Sequence, residues 1–143
     1  MNLKQVQLSK CKNIYNQKGN LKKLLDLESK SFLSFGEIYL TKIKYRNIKG
    51  WKSHKKMNSN IFLLSGKVMF IIVEIKKKEI KFHEYILSMK TNDHIFIPKN
   101  KFFSFYGLSK TQSVLLNLSS IKHDTNETVE KNLDYFKYKW KSK

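Results

Sequence analysis

The stretch Lys49-Gly50-Trp51-Lys52-Ser53-His54-Lys55-Lys56 sets one imidazole and one indole among four lysines. A free imidazole titrates at about pH 6.5, so His54 is a candidate general base at neutral pH. Lysines beside it disfavour its charged form and keep the ring able to accept a proton. Lys52 could serve a developing oxyanion as a cation, or act as a base itself if burial depresses its own pKa. On one strand, residues 52 and 54 share a face, with Trp51 and Ser53 on the other unless a bulge intervenes. A solvated turn does not need the tryptophan and a core does not need the lysines, so the stretch reads as the mouth of a pocket for an anion. The plainer alternatives are a surface-turn His54 and a solvated Lys52.

The charge around this stretch supports that reading. No acidic residue lies between Glu37 and Glu74, while Lys42, Lys44, Arg46, Lys49, Lys52, Lys55, Lys56 and Lys67 fall inside the window. Over the whole 143 residues the formal charge is +18, from 29 basic and 11 acidic groups, which recommends a polyanionic or phosphorylated partner. A codon bias toward A and T competes as the cause, since the chain has no alanine, one proline, and Arg46 as its one arginine. A lone arginine among scattered lysines argues against base-specific reading of duplex DNA, which relies on bidentate arginine. Cys11 stands alone, which excludes an internal disulfide and a cysteine-built zinc site. The N-terminal MNLKQVQLSKCKN has no apolar core of a secretory signal, and the runs VMFIIV and IFLL are too short to span a bilayer. A cytoplasmic protein with no membrane or nucleic-acid partner is the expectation.

Strand signals dominate the elements that must position these groups. Residues 36–45 alternate with period two, Ile38, Leu40, Lys42 and Lys44 against Tyr39, Thr41, Ile43 and Tyr45. Residues 60–75 read as two apolar strands hinged at Ser65-Gly66, and 79–87 alternate again with a slip near His83-Glu84 that suggests a bulge. Shorter strands follow at 94–98, 101–107 and 112–120. The segment LKKLLDL fits a strand or one helical turn. After Ser120 the chain turns polar, with Val129, Leu133, Phe136 and Trp140 spaced for a helical turn and then a packed strap. Many short strands without a convincing amphipathic helix predict an all-β sandwich or barrel in a single domain, 1–143.

In order and spacing, KGNLKKL, IKGWKSHKKMNSNIFLLSGKVMFIIVE, IFIPKNKFFSFYGLS, LLNLSSIKHDTNE and LDYFKYKW resemble the small RmlC-like cupins of nucleotide-sugar biosynthesis. These include dTDP-4-dehydrorhamnose 3,5-epimerases and the WxcM-like dTDP-sugar 3,4-ketoisomerases. The resemblance covers most of the chain. It implies a cupin-type antiparallel jelly-roll barrel with a short polar C-terminal strap, a homodimer, and a nucleotide-linked 4-keto-deoxyhexose bound in the barrel mouth without cofactor or metal. The activity it implies is epimerisation or ketoisomerisation by proton abstraction beside the ketone, for surface polysaccharide.

Position by position, the resemblance places Lys52 where the epimerases carry their basic histidine. It places His54 at the second histidine of the ketoisomerase His-x-His, Phe103 at a further histidine, and Asn117 at the acidic tyrosine. A subgroup of short, related sugar epimerases carries a similar Lys-x-Trp-Lys-x-His pattern. In this frame Arg46, Lys49, Lys55 and Lys56 would attract the diphosphate, and Trp51 would stack on sugar or base or else be a core indole. Tyr106 is the candidate acid or else a core aromatic, and Asn60 and Asn117 could offer amides inward. His83, His94 and His123 lack the metal-binding cupin pattern, so no metal is expected. His123-Asp124 lies in the strap, where Asp124 fits a turn before Glu127 better than chemistry. Two other classes remain: a sugar-nucleotide-binding module that has lost its base and acid, and a barrel that stacks single-stranded nucleic acid on FFSFYG.

Overall fold

The computed structural model describes residues 3–140, and strands are the only regular elements among them. In chain order these are β1 (Gln7–Ser9), β2 (Lys12–Ile14), β3 (Leu21–Lys23), β4 (Glu37–Ile43), β5 (Ile48–His54) and β6 (Ser59–Ser65). They continue with β7 (Lys67–Lys76), β8 (Glu79–Ser88), β9 (His94–Ile97), β10 (Phe102–Gly107), β11 (Ser113–Ser119) and β12 (Thr128–Glu130). One antiparallel sheet runs β1-β9-β6-β11-β4, a second β12-β5-β10-β7-β8, and β2 pairs with β3 as a separate hairpin. The two large sheets close on a common core of Ile43, Ile61, Leu63, Leu115 and Ile95 from the first and Val68, Phe70, Ile72, Leu87, Phe103 and Phe105 from the second. This is the expected jelly roll.

The alternating patterns explain which residues point inward. On β4, Tyr39, Thr41 and Ile43 form the inner face, and Ile38 and Leu40 stay more than half exposed outside. The turn between β6 and β7 falls at Ser65-Gly66 as expected. Gly66 adopts φ +87°, and a Cβ there would lie 2.3 Å from Ser113 Oγ. Two expectations are corrected. The pairing of β7 with β8 runs unbroken from Lys67↔Ser88 to Lys76↔Glu79, so no bulge sits at His83-Glu84. The polar tail forms β12 and then a turn-rich strap, with no helical turn. Two of its apolar points, Phe136 and Trp140, pack outside the second sheet, where Phe136 joins Trp51, Met69, Ile71, Val73 and Tyr106 in a second buried cluster. No helix among the described residues is long and apolar enough to cross a membrane.

A polar network pins the outer side of the first sheet. The Ser9 hydroxyl donates to His94 Nδ1 (2.7 Å), His94 Nε2–H donates to Asn60 Oδ1 (2.9 Å), and Asn60 Nδ2 donates to the Ser31 carbonyl (2.8 Å). The ring also stacks on Phe62 at 4.4 Å. Burial pushes the His94 pKa down to about 4. An unfolded histidine titrates at about 6.5, so the neutral ring contributes stability above that pH and loses it as the pH falls toward 4. The difference corresponds to about 3 kcal/mol. Urea unfolding at pH 7 and pH 4.5 should therefore show His94→Gln losing much less stability on acidification than the wild type.

Candidate active site

The site is organised by a bulge in β5. Opposite β10, Lys52 pairs with Phe103 and Gly50 with Ser104, which leaves Trp51 as the extra residue and shifts the register. A regular strand would put positions 49 and 52 on opposite faces; one inserted residue restores them to the same face. Lys49, Lys52 and His54 consequently line one hollow between the sheets. Gly50 makes the bulge possible. It adopts φ +111°, and a Cβ there would meet the Phe103 carbonyl oxygen at 2.7 Å and Ser104 Cα at 2.9 Å. Gly50→Ala is expected to cost about 2–3 kcal/mol in denaturant unfolding, as a strained backbone does, and to displace Lys49 from the hollow.

The hollow has a volume of about 90 Å³ and is walled by Ile61, Phe103 and Phe105, with Tyr39, Thr41, Ser59 and Asn117 as its polar lining. Whole small ligands fill pockets of roughly 300–1,000 Å³, so this one accepts only the reacting portion of a ligand. Strand ends and loops are stitched together around His54. Asn100 N–H donates to the His54 carbonyl (2.6 Å), Lys55 N–H to the Glu127 carbonyl (2.9 Å), and Ser120 N–H to the Asn58 carbonyl (3.0 Å).

His54 lines the hollow, is buried, and donates Nδ1–H to Glu127 Oε1 at 2.6 Å. That bond assigns the proton to Nδ1 and leaves the lone pair on Nε2. The other Glu127 oxygen, Oε2, accepts the Lys56 N–H (3.0 Å) and the Met57 N–H (3.3 Å), so the carboxylate is fixed on both sides. Burial raises the Glu127 pKa, but the Lys56 N–H and His54 outweigh it and hold the carboxyl below its usual range. For His54, burial lowers the pKa and outweighs the upward pull of Glu127. Burial also lowers the Lys52 pKa, helped by Lys49 and opposed by Glu130. The Tyr39 phenol is pushed above its usual value, mainly by burial.

Of the residues singled out in the sequence, Lys49, Lys52, His54, Phe103 and Asn117 meet in the hollow. Lys55 and Lys56 stand exposed just past the end of β5, with Lys55 Nζ donating to the Asn126 carbonyl (3.0 Å). The other four lie elsewhere. Trp51 is a core indole on the outer face of the sheet, packed edge-on to Phe136 at 5.4 Å, with its N–H donating to the Leu133 carbonyl (3.0 Å). Tyr106 belongs to that same outer cluster, because its neighbour Phe105 takes the inward position. Asn60 points away from the hollow into the His94 network. Arg46 sits in the β4–β5 turn at φ 58° over the Tyr45 ring, at the far end of β5 from His54. In FFSFYG, Phe103, Phe105 and Tyr106 are buried and Phe102 is half-buried against Phe136, so the segment presents no fully exposed ring. His83 pairs with Glu74 (2.8 Å) on a separate flank.

Glu127 and Tyr39 were missed in the sequence. Tyr39 was findable from its place on the Thr41 and Ile43 side of an alternating strand. Nothing local marks Glu127, which reaches His54 only because β12 pairs Thr128 with His54 across 74 residues.

Comparison with solved structures bears on the fold. The chain is similar to a dTDP sugar isomerase from Desulfovibrio desulfuricans G20, with TM-score 0.85, 23% identity, and coverage of 94% of this chain and 90% of that one. It is similar to a dTDP-4-dehydrorhamnose 3,5-epimerase from Bacillus anthracis with TDP and pyrophosphate bound, at TM-score 0.80 and 15% identity, covering 98% and 87%. A sugar 3,4-ketoisomerase from Thermoanaerobacterium thermosaccharolyticum in complex with TDP gives TM-score 0.66 and 24% identity, covering 92% and 90%. A search of curated proteins finds no match. The family model described as FdtA, WxcM-like, C-terminal matches residues 4–140, and with that near-complete match the chain belongs to this family.

Proposed function

We propose that the protein is an epimerase or ketoisomerase of a nucleotide-linked 4-keto-deoxyhexose, acting by proton abstraction beside the ketone. The observation that carries this reading is a Glu127-bound His54 lining a hollow shared with two amines and a phenol. Neutral His54 takes the acidic proton through Nε2, and Glu127 holds the ring and stabilises its charged form. Lys49, Lys52 and Tyr39 are the groups available to the enolate oxygen. A hollow of about 90 Å³ takes the sugar ring's reacting edge and leaves the nucleotide outside, where Lys55 and Lys56 face the phosphates. The similar proteins whose structures contain TDP support a dTDP-type substrate.

A second reading is a non-catalytic binding module, favoured by Lys52, Phe103 and Asn117 at positions that hold histidines and a tyrosine in the related enzymes. Incubation with dTDP-4-keto-6-deoxyglucose, followed by proton NMR, separates the two. Inverted ring couplings or a 3-keto product support the enzyme; saturable binding with an unchanged spectrum supports the module.

The assembly we propose is a homodimer. Leu40 pairs with Leu116 and Ile38 with Leu118 on the outer face of β4 and β11. Ile38 and Leu40 are 54% and 56% exposed, an apolar strip suited to a second copy. Sedimentation of Leu40→Glu should give a monomer where the wild type gives a dimer.

A further inference from the structure

We infer that Trp51 is a positioning residue: the C-terminal strap grips it outside the second sheet and thereby holds Lys49, Lys52 and His54 in the hollow. This rests on the reading of the hollow as the reacting site and goes beyond it, by giving the strap a part in that site.

Trp51 is the extra residue of the β5 bulge, so the ladder to β10 gives it no partner of its own. On the other edge of β5 the tail takes hold of it twice. The Lys131 N–H donates to the Trp51 carbonyl (3.0 Å), and the indole N–H donates to the Leu133 carbonyl (3.0 Å). From the β10 side, the buried Ser104 hydroxyl donates to the Lys49 carbonyl (2.9 Å). The indole is 1% exposed, with the rings of Phe136, Trp140, Tyr138 and Phe82 around it at 5.4–6.2 Å between centroids. Tyr138 donates its hydroxyl to Glu84 on β8 (2.5 Å), which moors the strap across the sheet.

Strand parity converts this grip into site geometry. With residue 51 fixed outside, residues 52 and 54 must face inside. A slip of one residue would turn Lys52 and His54 out and Ser53 in. The hollow of about 90 Å³, already walled by Phe103 and Phe105, has no room for the indole that such a slip would bring inward. The same tail carries Glu127, so one segment sets both the His54 ring and the strand that bears it.

The test compares two variants that loosen the grip with one that does not. Trp51→Phe keeps a ring but loses the indole N–H, and Lys131→Pro loses the other donor. Met69 lies in the same buried cluster but on β7, so Met69→Ala should lose stability and keep both bonds. Each full-length variant is checked for folding by circular dichroism and urea unfolding. The imidazole signal of His54, assigned by its absence from His54→Ala, is then titrated by NMR. Lys49 and Lys52 on its own strand, Tyr39 from β4, and Glu127 and His123 from the tail surround this ring, and burial is the largest influence on its pKa, lowering it. Turned toward water, the ring should titrate nearer the ordinary value of about 6.5 in Trp51→Phe and Lys131→Pro, and as in the wild type in Met69→Ala. Conversion of dTDP-4-keto-6-deoxyglucose should slow by roughly 10²-fold in the same two variants, as a displacement of about 1 Å does. Unchanged titration in the grip variants that fold, or the same change in Met69→Ala, overturns the positioning role whatever the turnover shows. A wild type that leaves the sugar unchanged, while Trp51→Phe moves the titration, overturns the enzymatic reading and leaves the positioning role standing.

Discussion

His54→Ala is expected to slow proton abstraction from the keto sugar by roughly 10²–10⁴-fold, the usual worth of a positioned base. Glu127→Gln should lose about 10²-fold, because the amide cannot stabilise a charged imidazole as a carboxylate does. A pH profile separates these roles from simple loss of structure. The base works when neutral, and burial lowers the His54 pKa below its ordinary value. The wild-type rate should therefore be level near pH 7 and fall only on the acid side of pH ~6.5. Glu127 pulls that pKa upward, so its removal shifts the acid limb to still lower pH while reducing the plateau. A purely structural Glu127 would lower the plateau without moving the limb.

The largest effect on stability is expected from Asp93→Ala. This carboxylate has no exposed surface; Oδ1 accepts the Cys11 N–H at 2.7 Å, and Oδ2 pairs with Lys22 and, at 3.5 Å, with Lys10. It ties the β2–β3 hairpin and the chain before it to the start of β9. The alanine variant strands a buried N–H, while the two lysines can turn to water, so the cost sits near the low end for broken buried pairs, about 3 kcal/mol. In melting temperature that is on the order of 10 °C for a chain of this size. Asp93→Asn should cost less, since its oxygen still accepts from Cys11. Burial alone would raise the Asp93 pKa, but the Cys11 N–H and Lys22 depress it overall. Its contribution is therefore present above the unfolded carboxylate pKa and is lost as the pH falls through the lower folded value. The Cys11 thiol beside it is pushed up to about 12 by burial, so alkylation at neutral pH should be slow until the hairpin detaches.

Strands were legible in the sequence because alternation is a local signal, and the Ser65-Gly66 turn because glycine tolerates positive φ. The inner face of β4 was legible for the same reason. The bulge at Gly50-Trp51 was not, since one extra residue reverses the parity of everything before it. Without it, Lys49 would share the outer face with Trp51; with it, Lys49 joins Lys52 and His54. Phe105 and Tyr106 show the limit of aromatic composition as a guide. Adjacent residues on one strand must face opposite ways, and only the pairing of β10 with β5 and β7 decides which one meets the hollow. Asn60 and Glu127 depend on partners 34 and 73 residues away, which no local pattern encodes. Asn60 therefore looked available for ligand and proved to be spent on His94, while Glu127 looked like part of a polar tail.

In the proposed reaction neutral His54, held by Glu127, removes a carbon-bound proton from a nucleotide-linked keto sugar. Its most direct measurement is the wash-in of solvent deuterium into dTDP-4-keto-6-deoxyglucose, followed by NMR at carbons 3 and 5. Rapid incorporation at one or both carbons is expected with the wild type, and at least a hundredfold slower incorporation with folded His54→Ala. Equal rates in the two proteins, or no incorporation by a wild type that still binds the nucleotide, would contradict it.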